Sequence, residues 1–381
     1  MPSALTLSAP RRSDRAILGA VLLLAAAGVV AVYSAISFLA ETKGGGDTER
    51  FLFNHLVRVG LALGVMGVVS LVDYRWLAKL SKGLMIVALG LLVAVQVTGV
   101  VTNGAQRWID LGFVTFQPSD LAKVAILLHI AVLLAKKQPY IESLSRGYLP
   151  LLVWIGPTIL LIGMEDLSTA AILLATLTAM MFVGRVKITH LVGTVAVGAV
   201  LAVAFLAANP QRAARIDSWL GTSFFQTEET AAATHSDQAE GYQARQAKIA
   251  FAMGGVTGRG PGKSVQRNFV PAPYNDFIFA IVAEEYGLVG AIGLLVMFVW
   301  LLARGMLRIA KGAADPLGLF LAVGITCAVA LYGFVNAAVA TGLAPVTGLA
   351  MPFVSYGGTS LLATGAMVGI LLNISRHADV A

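Results

Sequence analysis

Apolar runs of about twenty residues recur along this chain, and that is the length a helix needs to cross the hydrocarbon core of a bilayer. Ten can be placed, at roughly 16–40, 54–72, 80–100, 117–135, 148–164, 167–184, 190–208, 276–303, 317–341 and 351–373. They are apolar on all sides, without the short alternating pattern of membrane barrels, so each must satisfy its own backbone as a helix. Composition agrees: of 381 residues 57% are hydrophobic and 12% charged, against about 25% charged in a soluble domain. The expected fold is an all-α integral membrane protein of about ten transmembrane helices, a single polytopic domain over residues 1–381 with a large loop at 209–275. The first run is too long for a signal-peptide core and reads as a retained span. Only Glu165 and Asp166 separate the fifth and sixth runs, where a broken or re-entrant helix is the alternative.

The net charge of +7 invites a nucleic-acid reading, but the positions of the basic residues give it another cause. With the N-terminus in the cytoplasm, the short loops on that side carry fifteen Lys and Arg, among them Arg11, Arg75, Lys136, Arg185, Arg304 and Arg376. The short opposite loops carry Lys43, Arg50 and Arg107. This is the positive-inside asymmetry, and it places both termini in the cytoplasm and the 209–275 loop outside. No nucleic-acid partner is needed. The one cysteine, Cys327, lies in an apolar run and excludes an internal disulfide. Arg58 and Lys123 fall within spans, where charges are functional candidates with snorkelling as the plain alternative. Lys123 reads either as a local partner of Asp120 or as a cation facing a polar cavity.

Three stretches on the outer side combine polar groups with turn residues: Asn103–Lys123, Gly254–Gly290 and Thr341–Leu362. Irregular backbone near membrane depth survives only where protein or a wet cavity satisfies it, so the three are expected to line one site. In the second, Pro271 and Pro273 lead into Asn275 and Asp276, the pattern of a helix start. Asp276 would then stand at the membrane surface, as a helix cap or as a working acid. Glu284 and Glu285 follow within the apolar run. Glu284 lies about 12 Å further along and about 80° around the helix, near enough to face the same cavity, while Glu285 points about 180° away. The segment GRGPGKS lacks the first glycine of the P-loop spacing. Backbone N–H groups and Lys263 offered to a lipid pyrophosphate are the better reading.

The motifs GAQRWIDLGFVTFQPSDLAK, NDFIFAIVAEEYGLVG and PVTGLAMPFVSYGGTSLL together resemble the SEDS family (shape, elongation, division and sporulation), that is, RodA and FtsW. The likeness spans most of the chain, and QAKIAFAMGG with GPGKSVQ looks closer to FtsW. The chain departs from the family pattern at Asp120, where Glu is usual, and at Ala272–Pro273–Tyr274–Asn275. The resemblance implies a peptidoglycan glycosyltransferase that polymerises lipid II, the undecaprenyl-pyrophosphate disaccharide-pentapeptide. It acts at the outer face of the inner membrane, with a class B penicillin-binding protein and other division or elongation proteins as partners. Asp276 matches the family's essential acid, with the role of general base. Arg107, Lys123, Lys248, Lys263 and Arg267 form the pool of cations for the pyrophosphate, and Gln266, Glu284 and Ser355 complete the substrate-binding set. No organic cofactor is implied; a divalent cation such as Mg2+ is left open. The rival readings are a flippase or transporter of lipid II or another amphiphile, and a non-catalytic division scaffold. A transporter would show internal repeats and charges on both sides of the midplane, and neither is evident. The orientation has a direct test: a cysteine at Thr234 should react with a membrane-impermeant thiol reagent in intact spheroplasts, and labelling only after permeabilisation would invert the topology.

Overall fold

The computed structural model describes residues 13–43, 48–102, 105–110, 112, 115–208, 210–221, 235–270 and 272–378; Thr234 and the rest of 222–234 in the long loop lie outside these. The helices are α1 (Arg15–Lys43), α2 (Thr48–Leu71), α3 (Tyr74–Thr98), α4 (Pro118–Lys137), α5 (Leu149–Glu165), α6 (Leu167–Val183), α7 (Ile188–Ala207), α8 (Pro210–Leu220), α9 (His235–Gly254), α10 (Ile278–Arg304), α11 (Pro316–Thr341) and α12 (Thr359–His377). Among the described residues nine helices are long and apolar enough to cross a bilayer, and α6, with 17 residues, is a shorter tenth. The chain is an all-α multi-pass membrane protein. Every apolar run of the sequence contains a helix. The fifth and sixth are separate helices that pack on each other, broken at Asp166, whose extended backbone and carboxylate cap α6 by accepting from Thr169 N at 3.0 Å.

Several bounds differ from the sequence reading, among them the start of α2 at Thr48. Helix α3 starts early, because the Asp73 carboxylate accepts from Arg75 N and opens the helix there. The last span begins only at Thr359, since residues 351–358 are turns around Gly357 and Gly358. The stretch between α3 and α4 is a small antiparallel sheet, β1 (Val100–Thr102), β2 (Ala105–Asp110) and β3 (Thr115–Phe116). Its segments are too short to show a strand period.

The most deeply packed spans are α4, α11 and α12, whereas α7 buries only Leu191. One end of the bundle is held by polar contacts among chain-distant termini. Arg304 Nε donates to Asp14 Oδ2 at 2.9 Å, Arg75 Nε and Tyr74 OH donate to Asp315 Oδ2 at 2.7 and 2.8 Å, and Arg376 Nε donates to Ser13 Oγ at 2.8 Å. These contacts put the starts of α1, α3 and α11 and the ends of α10 and α12 together, as strict alternation of the spans requires. The irregular stretches gather at the opposite end.

Helix α10 is not continuous. At Gly287 the backbone turns to φ +65, ψ −163, a conformation open to glycine alone. A break inside a span frees backbone groups that lipid cannot satisfy, and the 254–260 segment supplies their partners. Leu288 N and Val289 N donate to Gly255 O and Val256 O at 2.9 and 3.2 Å, while Arg259 N and Gly260 N donate to Glu284 O and Glu285 O at 3.0 and 2.9 Å. The two backbones are so close that a Cβ at Gly258 would lie 2.1 Å from Glu285 O. Gly258→Ala is therefore expected to cost about 3 kcal/mol or more, strained φ and backbone overlap together. Gly262→Ala, at φ +73 with nothing within 4 Å, should cost only the left-handed backbone term of about 1–2 kcal/mol. Thermal unfolding in detergent compares the two, and equal losses would contradict this packing.

Candidate active site

A cavity of about 140 Å³ opens at the irregular end, lined by Gln117, Asp120 and Lys123 of α4 and its approach, Asp166 and Thr169 at the α5–α6 break, Tyr332 of α11, and parts of the 348–364 stretch. Lys123 lies early in α4, where Pro118 occupies the first helical turn. Its Nζ is 2.6 Å from Asp120 Oδ1, and the cation lies 4.9 Å from the Tyr332 ring centre. Thr359 Oγ1 donates to Asp120 Oδ2 at 2.6 Å. Both sequence readings of Lys123 thus hold at once: it pairs with Asp120, and the pair forms a wall of the cavity. Arg107, on β2, donates through Nε and Nη2 to Glu165 O at 3.0 and 2.7 Å, and Nη1 is 3.6 Å from Asp166 Oδ2. The acids between the fifth and sixth runs are thus what anchors this arginine.

Asp276 lies in a turn immediately before α10, and its backbone is held on three sides. Ser355 Oγ donates to Asn275 O at 2.6 Å, Tyr356 N to Tyr274 O at 2.9 Å, and Asn336 Nδ2 to Asp276 O at 3.0 Å. The same amide donates to Leu349 O at 2.7 Å, so one side chain of α11 ties the turn to the cavity wall. Nothing comparable holds the carboxylate. The residue in the N-cap position is Phe277, with no side-chain cap bond, which overturns the cap reading of Asp276. Asp276 Oδ1 is buried and has no hydrogen-bond partner among the described residues. Burial pushes this carboxyl up to about 6, nearby Asp166 adds to the rise, and Arg107 and Arg215 oppose it. An acid free of structural bonds and poised near neutrality is the profile of a proton acceptor.

The other expected site residues divide. Ser355 lines the cavity, but its hydroxyl is committed to backbone, donating to Asn275 O and accepting from Met351 N at 2.8 Å. Glu284 does not face the cavity. It is fully buried and accepts from Ser264 Oγ, Val265 N and Gln266 N at 2.5, 2.9 and 3.1 Å, with Arg259 Nη1 at 3.6 Å. Glu285 binds Ser34 Oγ of α1 and accepts from Ser264 N. The N–H groups of Gly258, Arg259, Gly260, Lys263 and Ser264 in the glycine-rich loop are therefore taken by the protein's own carboxylates and carbonyls, not held open for a pyrophosphate. Gln266 and Arg267 belong to that anchorage: Arg267 Nη1 donates to Ser34 O at 3.0 Å. Lys263 is exposed, and Lys248 lines a separate pocket. Arg58 stacks on Tyr356, 4.6 Å from its ring centre. Sequence reasoning passed over Asp166, Thr169, Tyr332 and Asn336. Asn336 carried a signal, as the one amide in a 26-residue apolar helix. Among the described residues no three His, Cys, Asp or Glu side chains are grouped to hold a metal; Mg2+ bound through substrate phosphates needs only one or two carboxylates.

Residues 14–380 match the FtsW/RodA/SpoVE family model, described as cell cycle protein. The chain belongs to this family. It is 38% identical over 360 residues to stage V sporulation protein E of Bacillus subtilis, covering 93% of this chain and 95% of that one. It is 37% identical over 371 residues to the probable peptidoglycan glycosyltransferase FtsW of Geobacter sulfurreducens, covering 96% of each. Among solved structures, a peptidoglycan synthase complex whose title concerns coordination of polymerization and crosslinking contains a similar chain, with TM-score 0.75 and 28% identity over 96% of this chain and 98% of that one. The rod shape determining protein RodA of Thermus thermophilus matches with TM-score 0.69 and 26% identity over the full length of both.

Burial of the Asp120–Lys123 pair sets a stability test. Lys123→Met strands a carboxylate that is 3% exposed, and breaking a buried pair by removing one partner costs about 3–5 kcal/mol. Asp120→Asn with Lys123→Met should recover most of that loss. Thermal unfolding of both variants in detergent checks it; a single variant as stable as the wild type would show the pair to be solvated.

Proposed function

We propose that this chain is a peptidoglycan glycosyltransferase that polymerises lipid II at the outer face of the bacterial inner membrane, with both termini cytoplasmic. The observation that carries the reading is Asp276: a partly buried carboxylate with no side-chain hydrogen bond among the described residues, next in the chain to Asn275, which lines the same cavity as Lys123, in a chain of this family. In the reaction, the 4-hydroxyl oxygen of the acceptor's GlcNAc attacks the anomeric carbon of the donor and passes its proton to Asp276. The bond from that carbon to the pyrophosphate breaks, and its electron pair leaves on the phosphate oxygen. Lys123, with Arg107 behind Asp166, supplies positive potential where that charge develops, the kind of preorganised stabilisation that lowers such barriers most. The site's place at the end of the bundle suits substrates whose sugars lie in water while their polyprenyl tails stay in lipid.

The assignment to division rests on the FtsW relatives, and a class B penicillin-binding protein is the partner this reading calls for. The structural neighbour within a peptidoglycan synthase complex supports it. Asp276→Asn should leave folding and insertion intact, since the carboxylate holds no structural bond. It should lower glycan-strand formation from purified lipid II by about 10²–10⁴-fold, the usual worth of a positioned base. A folded Asn variant that polymerises at near wild-type rate removes Asp276 from the chemistry. Because the base works ionised, kcat/KM should rise with pH through about 6, the raised value of Asp276. Asp166→Asn removes a like charge, so the inflection should move to lower pH.

A further inference from the structure

The end of the bundle opposite Asp276 holds another cavity, of about 530 Å³, in the connection from α4 to α5. Its walls are residues 138–143, Arg146, and Arg185 from the turn after α6. The helices that end here, α4 and α6, carry Asp120, Lys123 and Thr169 of the first cavity near their other ends. The 20 residues of α4 separate the two cavities by about 30 Å. This pocket takes no part in the chemistry proposed above.

The pocket is built by fixed contacts. Gln138 Nε2 donates to Leu134 O and Gly184 O at 3.3 and 3.1 Å, tying the end of α4 to the end of α6. Ser143 O accepts from Gly147 N and Tyr148 N at 3.0 and 3.1 Å, and a Cβ at Gly147 would overlap Tyr140 O. Helix α6 closes as Arg185 N and Val186 N donate to Phe182 O and Met181 O, each at 3.0 Å. The left-handed residue of such a turn is ordinarily glycine. Here it is Arg185, at φ +61, a backbone that costs a residue with a Cβ about tenfold in the folding equilibrium. Among the described residues only two other non-glycines have positive φ, Ala272 and Phe353. Both stand in the irregular stretches beside Asp276 and its cavity. Strain of this kind clusters at ligand sites.

The lining chemistry narrows the ligand. Arg146 and Arg185 are exposed, as is Glu142 between them in the wall. None of the three forms an ion pair among the described residues. Lys136 and Lys137 end α4, and Lys187 follows Arg185, so the surrounding potential is positive. Two guanidinium groups offer paired N–H donors to a phosphate, and a carboxylate beside them accepts from hydroxyl groups. Tyr140, Leu144, Phe182 and Ile188 are large apolar residues left exposed around the opening. An acidic peptide has no use for such a rim, whereas a phospholipid carries its phosphate next to acyl chains. We propose that this pocket binds the headgroup of an anionic phospholipid of the phosphatidylglycerol type, with Arg146 and Arg185 on the phosphate and Glu142 on the glycerol hydroxyls. In the orientation proposed above, the lipid belongs to the cytoplasmic leaflet, where anionic headgroups meet basic pockets between spans.

Native mass spectrometry and thermal unfolding of the full chain in detergent test the pocket with dioleoylphosphatidylglycerol. The comparison probes are dioleoylphosphatidylethanolamine, inorganic phosphate and a polyglutamate peptide. Phosphatidylglycerol should be retained and should raise the unfolding temperature, as a ligand of the folded state does. Arg146→Gln with Arg185→Gly should weaken retention about tenfold or more, the worth of one charged hydrogen bond, and remove the thermal shift. Without lipid, Arg185→Gly alone should unfold at the wild-type temperature or above it, because glycine relieves the left-handed strain. Lys79→Gln with Lys311→Gln removes two exposed cations of the same end outside the pocket and should leave retention unchanged. Equal weakening by that control would show a diffuse positive surface in place of a site and overturn the proposal. Phosphatidylethanolamine retained as tightly, or an equal thermal shift with inorganic phosphate or polyglutamate, would assign the pocket to another ligand and overturn it too. None of these readouts depends on strand synthesis, so their failure leaves the polymerase reading intact.

Discussion

A helix that breaks inside a membrane must find new partners for its backbone, and the rest of the outer half of this protein follows from how α10 meets that demand. The partners come from the 254–260 segment, which has to return from the long loop and lie against the break. Glycines 254, 258 and 287 permit the approach. Once it is made, Glu284 and Glu285 are enclosed by N–H groups and hydroxyls of residues 264–266 and Ser34, so two carboxylates that would be costly in lipid become the glue of the fold. Acids within a span are usually functional. Here their bonds are architectural, and the chemistry proposed for this chain falls to an acid outside the helix.

The contrast between Glu284 and Asp276 shows how two carboxylates eight residues apart acquire opposite characters. Glu284 accepts three polar donors, lies in an ion pair with Arg259, and is fixed by them. Asp276 is held through its carbonyl oxygen and through its neighbours' carbonyls, so the turn is fixed while the carboxylate Oδ1 has no hydrogen-bond partner among the described residues. Rigidity without saturation is what a reactive group needs: geometry is settled in advance, and the lone pairs remain for substrate.

The spans and the three outer stretches were legible because apolar runs of this length have one solution in lipid, and because turn residues within them have few. The break at Gly287 was not legible. EEYGLVG keeps the apolar pattern of a continuous helix, and only the returning segment, thirty residues earlier in the chain, makes the break tolerable. Helical angles alone directed Glu284 toward the cavity, but donors from residues 264–266 claimed it, a non-local competition that spacing does not encode. Asp276 stood out by position and resemblance, yet its freedom from capping could be seen only in the backbone of residues 272–277. Arg107 was read as a free cation for the opposite reason: its partners are a carbonyl and an acid in the Glu165–Asp166 break, which looked like a mere boundary between helices.

Asn336 binds Asp276 O and Leu349 O with one amide group. That makes Asp276, the proposed base, and the cavity wall at Leu349 riders on a single carrier, the ninth apolar span, while Lys123 rides on α4. The other end of the same helix is capped by Asp315 and held by Tyr74 and Arg75, so one span ties the turn that carries Asp276 to the polar contacts at the opposite end of the bundle.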